Sequence, residues 1–260
     1  MKIVTFNIRC DYEQDGKNNF VYRRDFIKAK IEKESPDVIC FQEVRPHMAD
    51  WLRENLEGYS IIGCGREVDL TGEQMTIAYK GKEWGLMELS HFWLSPDTRV
   101  AGSRFEEQSE CPRMCTEAIF RNYKTQEMYQ VFNTHLDHIS GTAIKLGAEV
   151  LLKKIEEMAF VYAADGKEKK MIPRILLGDF NAEPSSLEMK PMEEQEKLID
   201  ITSHIKGTYH EFGALTELMK IDYIFVSKDV NYENIEVWDE CHDGVYLSDH
   251  YPICVTLKEK

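Results

Sequence analysis

Leu177-Gly178-Asp179-Phe180-Asn181, which follows the mainly apolar run of residues 172–177, governs the reading of the whole chain. The run has the length of a buried strand, and it stops on a glycine, a carboxylate and, two residues later, an amide. A strand that ends this way presents its polar groups on the rim of a rigid sheet. Taken singly, an Asp or Asn after a strand is more often a turn residue or helix cap. The arrangement recurs, however. Phe6-Asn7 lies in the alternating segment 2–8, Phe41-Gln42-Glu43 follows the buried run 38–41, and Phe132-Asn133-Thr134-His135 ends the run 128–134. Ile221-Asp222 opens a strand over 221–226, and Ser248-Asp249-His250 stands just before one over 251–257. All six places share one chemical theme, oxygen ligands plus imidazole.

Around these points the pattern is that of an α/β protein. Residues 21–34 predict a helix with Phe26, Ile27 and Ile31 on its apolar face, ended by Pro36-Asp37. Residues 46–56 predict a short helix. Residues 142–163 predict the longest, with Ile144, Ala148, Leu151, Leu152, Ile155, Met158 and Ala159 at helical spacing. Strand-like runs fill 59–94, including 75–79 and 86–94, and residues 116–121 and 128–134 read as a hairpin. Segments 9–20 and 165–170 read as a loop and a solvated turn. Residues 95–114 form a long aperiodic loop, a length that in a compact domain usually serves function. Helices intervene at similar places in each half, and no Gly-, Ser- or Pro-rich linker separates the halves. Residues 1–260 are therefore expected to form a single domain of two packed sheets with helices outside.

The 260 residues carry 32 Lys plus Arg against 46 Asp plus Glu, a formal net charge of −14. That balance opposes a stable grip on duplex DNA or on an anionic membrane surface. No apolar run approaches the roughly 18 residues of a membrane span, and Met1 to Asn7 lacks the apolar core of a signal peptide. Several of the seven cysteines sit in apolar runs such as Val38-Ile39-Cys40-Phe41, which fits free thiols in a reducing, cytoplasmic setting. Cys111 and Cys115 lack the second pair or histidine partner of a zinc finger. Phe92, Trp93 and Leu94 read as core more readily than as a wall for substrate.

The hard oxygens of Asn7, Glu43, Asp179, Asn181 and Asp249 suit Mg²⁺ or Mn²⁺, and the His- or Cys-rich pattern of catalytic zinc is absent. The sequence contains no phosphate-binding P-loop, no dinucleotide fingerprint and no serine-hydrolase elbow.

Thr5-Phe6-Asn7, Gln42-Glu43, Asn133-Thr134-His135, Gly178-Asp179-Phe180-Asn181, Ile221-Asp222-Tyr223-Ile224 and Ser248-Asp249-His250 occur in the order of the endonuclease/exonuclease/phosphatase superfamily, which the chain resembles from residue 5 to residue 250. The resemblance implies a deoxyribonuclease-like four-layer α/β/β/α sandwich, two mainly antiparallel mixed sheets flanked by helices. It implies metal-assisted attack of water at phosphorus. Glu43 resembles the main metal carboxylate, with Asn7 and Asp249 beside it, and Asp179 the residue that orients or deprotonates the water. Asn181 then donates to a phosphate oxygen without titrating, Asp222 fixes the tautomer of His250, and His135 stabilises the transition-state oxyanion or assists the leaving group. The base stays open between two residues. On pKa alone His250 is the better one near neutrality, whereas a neighbouring phosphate keeps it protonated and favours Asp179.

Outside the shared set, Arg9 stands two residues after Asn7, which in a continuing strand places both on one face. Arg113 and His138 are within reach of a phosphate if their loops fold over the rim. The leading expectation is a Mg²⁺- or Mn²⁺-dependent phosphodiesterase or phosphatase. Its substrate is a phosphorylated small molecule, a lipid headgroup or a nucleic acid. The alternatives are a nuclease or abasic-site DNA endonuclease, and a non-catalytic binding module that keeps the fold. The last is opposed by the joint presence of Glu43, Asp179, Asn181, Asp222, Asp249 and His250.

Overall fold

Two six-stranded sheets lie face to face in the computed structural model, which describes residues 1–158, 160–162 and 169–258. The N-terminal part runs β1 (Lys2–Asn7), α1 (Phe20–Glu34), β2 (Val38–Val44), α2 (Pro46–Asn55), β3 (Tyr59–Ile62) and β4 (Gln74–Lys80). Then come β5 (Trp84–Trp93), β6 (Met114–Asn122), β7 (Met128–His135), α3 (Gly141–Glu157), β8 (Phe160–Tyr162), β9 (Lys169–Met171) and β10 (Arg174–Asp179). The chain finishes with α4 (Lys190–Glu194), β11 (Leu198–Asp200), β12 (Asp222–Ser227), β13 (Tyr232–Val237), β14 (Cys241–His242), β15 (Val245–Tyr246) and β16 (Ile253–Leu257). One sheet has the order β13-β16-β1-β2-β4-β3 and the other β11-β12-β10-β7-β6-β5.

Each sheet contains one parallel pair. β1 pairs with β2 across α1, with Asn7 opposite Gln42, and β7 pairs with β10 across α3, with His135 opposite Asp179. Parallel neighbours need a crossover helix, and they finish at the same edge. The two crossovers therefore deliver Asn7 with Gln42-Glu43, and His135 with Asp179, to one rim. β12 runs antiparallel to β10 and begins there, so Asp222 lies opposite Asp179.

The strands are apolar on both faces because each sheet is covered twice. Between the sheets pack Ile3, Val38, Ile77, Val131, Leu177 and Ile224. Phe6, Ile27, Ile31 and Leu52 fill the layer under α1 and α2, and Phe132, Ile144, Leu151 and Phe180 the layer under α3. This is the four-layer sandwich that the resemblance implied.

Asn19 caps α1 by accepting from the Val21 N–H at 3.0 Å, and Ser35, at φ 48°, closes it ahead of Pro36. Ser140 caps α3 in the same way through the Ala143 N–H at 3.2 Å. The helix predicted over 142–163 stops at Glu157, and Phe160–Tyr162 pairs with Lys169–Met171 instead. Gln130 Nε2 donates to the Met158 carbonyl at 3.0 Å and ties down the chain where the helix ends. Ala159, Ala163 and residues 164–168 of the expected helix end and turn lie outside the described residues. Phe92, Trp93 and Leu94 are buried core. Among the described residues no helix is long and apolar enough to cross a membrane.

Candidate active site

The rim residues sit at backbone corners. Glu43 (φ 62°), Arg9 (φ 60°) and Asn181 (φ 50°) all occupy the left-handed region, which non-glycine residues adopt at a cost and which concentrates at functional sites. Gly178 has φ 145°, and a Cβ there would lie 1.9 Å from the Thr134 carbonyl oxygen, so only glycine permits this approach of β10 to β7. The corner at Arg9 corrects the sequence reading. β1 ends at Asn7, so Arg9 reaches the site through a turn in which Asn7 Oδ1 accepts its N–H at 3.0 Å, and not through strand alternation.

Asp179 lies at the centre. Its Oδ2 accepts from Asn7 Nδ2 at 3.0 Å and lies 3.4 Å from His135 Nε2 and 3.8 Å from His250 Nε2, while Oδ1 accepts the Asn181 N–H at 2.9 Å. Burial raises its carboxyl well above the usual range, with the charge of Asp222 adding to the effect. The Asp222 carboxylate lies 2.8 Å from His250 Nδ1. Burial works to lower the proton affinity of His250, but the charge and hydrogen bond of Asp222, with Asp179 and Asp249 behind, carry it up to about 10. His135 is pushed the other way, well below its ordinary value, by burial and then by Arg113 and Arg66. Both amide hydrogens of Asn181 are engaged, one by His135 Nε2 at 2.9 Å and one by the Leu136 carbonyl at 3.2 Å. Donation from Asn181 to a phosphate oxygen therefore requires exchanging one of these bonds.

Two groupings of ligand atoms could hold a cation. Asp179, Asp222 and His250 offer atoms within 4.8 Å of one another, and Asp222 and His250 are also hydrogen-bonded to each other. The second grouping is Glu43 with Asn7 and Asp249. Glu43 Oε1 accepts from Asn7 Nδ2 at 3.1 Å and Oε2 from the Cys10 N–H at 3.0 Å, bonds that help hold it ionised against its burial. The Asp249 carboxyl is raised by burial, and the nearby charge of Glu43 contributes. Hard carboxylate oxygens held close enough to repel one another are the surroundings that a hard divalent cation relieves.

A cavity of about 430 Å³ joins these groups, with Glu43, His135, Asp179, Asn181, Asp249 and His250 in its wall. The predicted substrate-binding residues Arg9, Arg113 and His138 line it too. Arg9 is held by Asp15 through Nε at 3.0 Å and approaches Asp249 at 3.4 Å.

The model of the Endonuclease/Exonuclease/phosphatase family matches residues 4–250. The chain belongs to this family. Its neighbours in the family are phosphoester hydrolases, and the family is divalent-metal dependent. Among solved structures, the chain is similar to an endonuclease/exonuclease/phosphatase from Bacteroides vulgatus, at 29% identity and a TM-score of 0.88 over 100% of this chain and 98% of that one. It is similar also to a mannosyl-6-phosphatase from Bacteroides thetaiotaomicron, at 25% identity and a TM-score of 0.85 over the full length of both. An uncharacterized protein of Acanthamoeba polyphaga mimivirus is 24% identical, covering 99% of this chain and all of that protein.

Within the family motifs the residues divide between chemistry and construction. Asn133, fully buried on β7, donates to the carbonyls of Phe41 at 2.9 Å and Thr76 at 3.0 Å on the facing sheet. Its Oδ1 accepts from Gln42 Nε2 at 2.7 Å. Gln42 and Asn133 thus tie the two sheets together directly behind Glu43 and His135. The sequence reading missed other residues of the site. Arg66, Glu73, Tyr12, Tyr209 and Met219 line the cavity. The Tyr12 ring lies under the guanidinium of Arg9, 4.9 Å from ring centroid to Cζ, and the Tyr209 ring centroid is 4.9 Å from that of His250. Arg23 on α1 is wholly buried, and its Nη1 donates to the carbonyls of Ile8 at 2.8 Å and Leu247 at 2.6 Å. It joins the segment after Asn7 to the segment before Asp249.

Proposed function

We propose that the chain is a Mg²⁺- or Mn²⁺-dependent hydrolase of a small phosphorylated molecule. The observation that carries this reading is the setting of Asp179 Oδ2, within 3.0 Å of Asn7, 3.4 Å of His135 and 3.8 Å of His250 at the wall of one cavity. Glu43, Asn7 and Asp249 would hold the ion. When bound, it would draw charge from the phosphoryl oxygens and from the leaving oxygen. Asp179, with its raised proton affinity, accepts a proton from the attacking water at Oδ2. His250, kept as imidazolium by Asp222, donates from Nε2 to a phosphoryl oxygen and is therefore the poorer base. Asn181 exchanges its bond to His135 for one to the phosphoryl group; the neutral His135, in its Nε2–H tautomer, then donates a hydrogen bond to the leaving oxygen, which takes its proton from solvent.

A substrate of modest size is supported by the cavity volume of about 430 Å³ and by the net charge of −14, which opposes a long polyanion. It is supported also by the full-length likeness to a mannosyl-6-phosphatase. The seven unpaired cysteines support a reducing, cytoplasmic setting.

The test is hydrolysis of a panel by wild type and Asp179→Asn in Mg²⁺ and in Mn²⁺. The panel holds a generic phosphodiester, a phosphomonoester, sugar and inositol phosphates, a sphingomyelin analogue and an abasic duplex. The expected result is turnover of a small phosphoester, lowered about a thousandfold in the variant. Nicking of the duplex alone, or equal rates in the two proteins, would overturn the reading.

A further inference from the structure

The cavity lining also includes a cationic group, Arg66 and Arg113 with His138. Arg66 is buried, and its Nη1 donates to Glu73 Oε2 at 2.6 Å. Arg113 is 4% exposed, and its Nη2 lies 2.7 Å from Nδ1 of the half-exposed His138. Arg113 Nε approaches Asp137 Oδ1 at 3.6 Å, and Asp137 is itself held by Ser109 and by the Ser140 N–H at 3.0 Å. After this pairing three guanidinium N–H positions stay buried without a hydrogen-bond acceptor: Nε and Nη1 of Arg113 and Nε of Arg66. Buried charged donors left unmade are costly.

The two cations also oppose one another. Arg113 has its proton affinity lowered by burial and then by Arg66, and His138 by burial and then by Arg113. The fold does not require this crowding, because Glu73 and Asp137 each already pair with one arginine. In the proposed mechanism Glu43, Asp249 and His250, which line the same cavity, meet the reacting phosphoryl group, and Arg66 and Arg113 have no part in holding it. Unmade donors and mutual repulsion are removed together by an anion seated between two guanidinium forks.

We propose that Arg66, Arg113 and His138 form a second anion subsite, so that the preferred substrate carries a further phosphate or carboxylate besides the phosphoryl group that is cleaved. The proposal rests on the preceding reading only in taking the residues around Asp179 as the reacting end. It also restricts the substrate class, because a phosphorylated alcohol with a neutral remainder leaves the cationic group unmatched.

Calorimetric binding to the Asp179→Asn protein in Mg²⁺ tests this without turnover. The probes are glucose 6-phosphate, glucose 1,6-bisphosphate and 6-phosphogluconate. The two doubly anionic probes distinguish phosphate from carboxylate as the second group, and tighter binding of either supports the proposal. The expected preference over glucose 6-phosphate is about tenfold or more. Adding Arg113→Lys, which keeps the charge beside Asp137 but removes the fork, or Arg66→Gln should reduce that preference to less than about twofold. If Arg66→Gln does not fold, Arg113→Lys carries the test alone.

Equal binding of all three probes, or no binding of any, overturns the proposal. So does an equal loss for all three probes in the arginine variants, which would place the guanidiniums on the reacting phosphate. A preference for two anions in a protein that hydrolyses no phosphoester would overturn the hydrolase reading and leave the subsite standing.

Discussion

Asp222 and His250 form a buried pair, Oδ2 to Nδ1 at 2.8 Å, across 28 residues of sequence. The pair sets which state of the imidazole faces the cavity. With Asp222 in place His250 holds its proton up to about pH 10, against an ordinary value of 6.5. Asp222→Asn removes the main opposing charge, so the alkaline loss of activity should move down by on the order of 2 pH units. The stability linkage has the same sign. The raised histidine contributes fully below about pH 6.5 and loses its contribution as the pH climbs toward 10, so the variant should lose more melting temperature at pH 6 than near pH 10. A pH–rate profile whose alkaline limb does not move would show that His250 does not act as a cation.

Glu43 lines the cavity, and its hydrogen bonds from Asn7 and the Cys10 N–H help hold its carboxylate ionised. Chelation should abolish phosphoester hydrolysis, and Mg²⁺ or Mn²⁺ should restore it. Glu43→Gln should raise the metal concentration for half-maximal rate by about 10- to 100-fold. Titration of activity against metal is the measurement. An unchanged requirement would assign the ion to other residues.

Much of this site was legible because two crossover units end their strands on one edge. Asn7, Glu43, His135 and Asp179 each stand within three residues of the end of an apolar run, and such a run announces both the strand and its end. Arg66 and Glu73 carry no such signal. Their segment returns on itself through the Gly65–Gln74 bridge and the Arg66 N–H to Glu73 carbonyl bond at 3.0 Å, contacts that no periodicity encodes. Arg23 stands in a helix, where an arginine ordinarily reads as solvated surface, yet it is wholly buried against four backbone carbonyls. The overlong reading of α3 has a simpler cause. Apolar spacing continues through Met158, and spacing alone does not mark the end of a helix that lacks a terminating glycine or proline.

Glu117 offers a stability test remote from the site. It is buried on β6, with Oε1 accepting from Gln130 Nε2 at 2.9 Å. Glu117 Oε2 and Gln130 Oε1 are buried acceptors without donors. Burial pushes the carboxyl up to about 7, partly offset by the Gln130 hydrogen bond. The native state therefore holds a proton that the unfolded chain releases near pH 4.5, and stability declines as the pH rises from there through 7. Glu117→Gln supplies a permanent donor. It should stabilise the protein by on the order of 2 kcal/mol at pH 8 and by little at pH 4.5. Thermal melts at the two pH values decide, and equal shifts would mean that Glu117 is ionised in the folded protein.

Asn133→Ala should be among the costliest single changes. It removes the buried side-chain donors to the carbonyls of Phe41 and Thr76 and one acceptor of the Gln42 amide, which keeps its bonds to the Cys40 carbonyl and Thr5 Oγ1. At about 1–3 kcal/mol for each buried group left unpaired, a loss of several kcal/mol is expected in chemical denaturation. A loss below about 1 kcal/mol would mean that water replaces the amide.

The Asn7–Asp179 hydrogen bond joins the end of one sheet to the end of the other, and Glu43 and Asp179 ride on different sheets. The span between the oxygens proposed to hold the ion and the proposed proton acceptor is therefore a spacing between layers. Truncating Ile77 or Leu177 at the inter-sheet core should erode the rate at temperatures where the chain is still fully folded. The thermal optimum of activity is then governed by how firmly the two sheets stay pressed together, and it falls below the melting temperature.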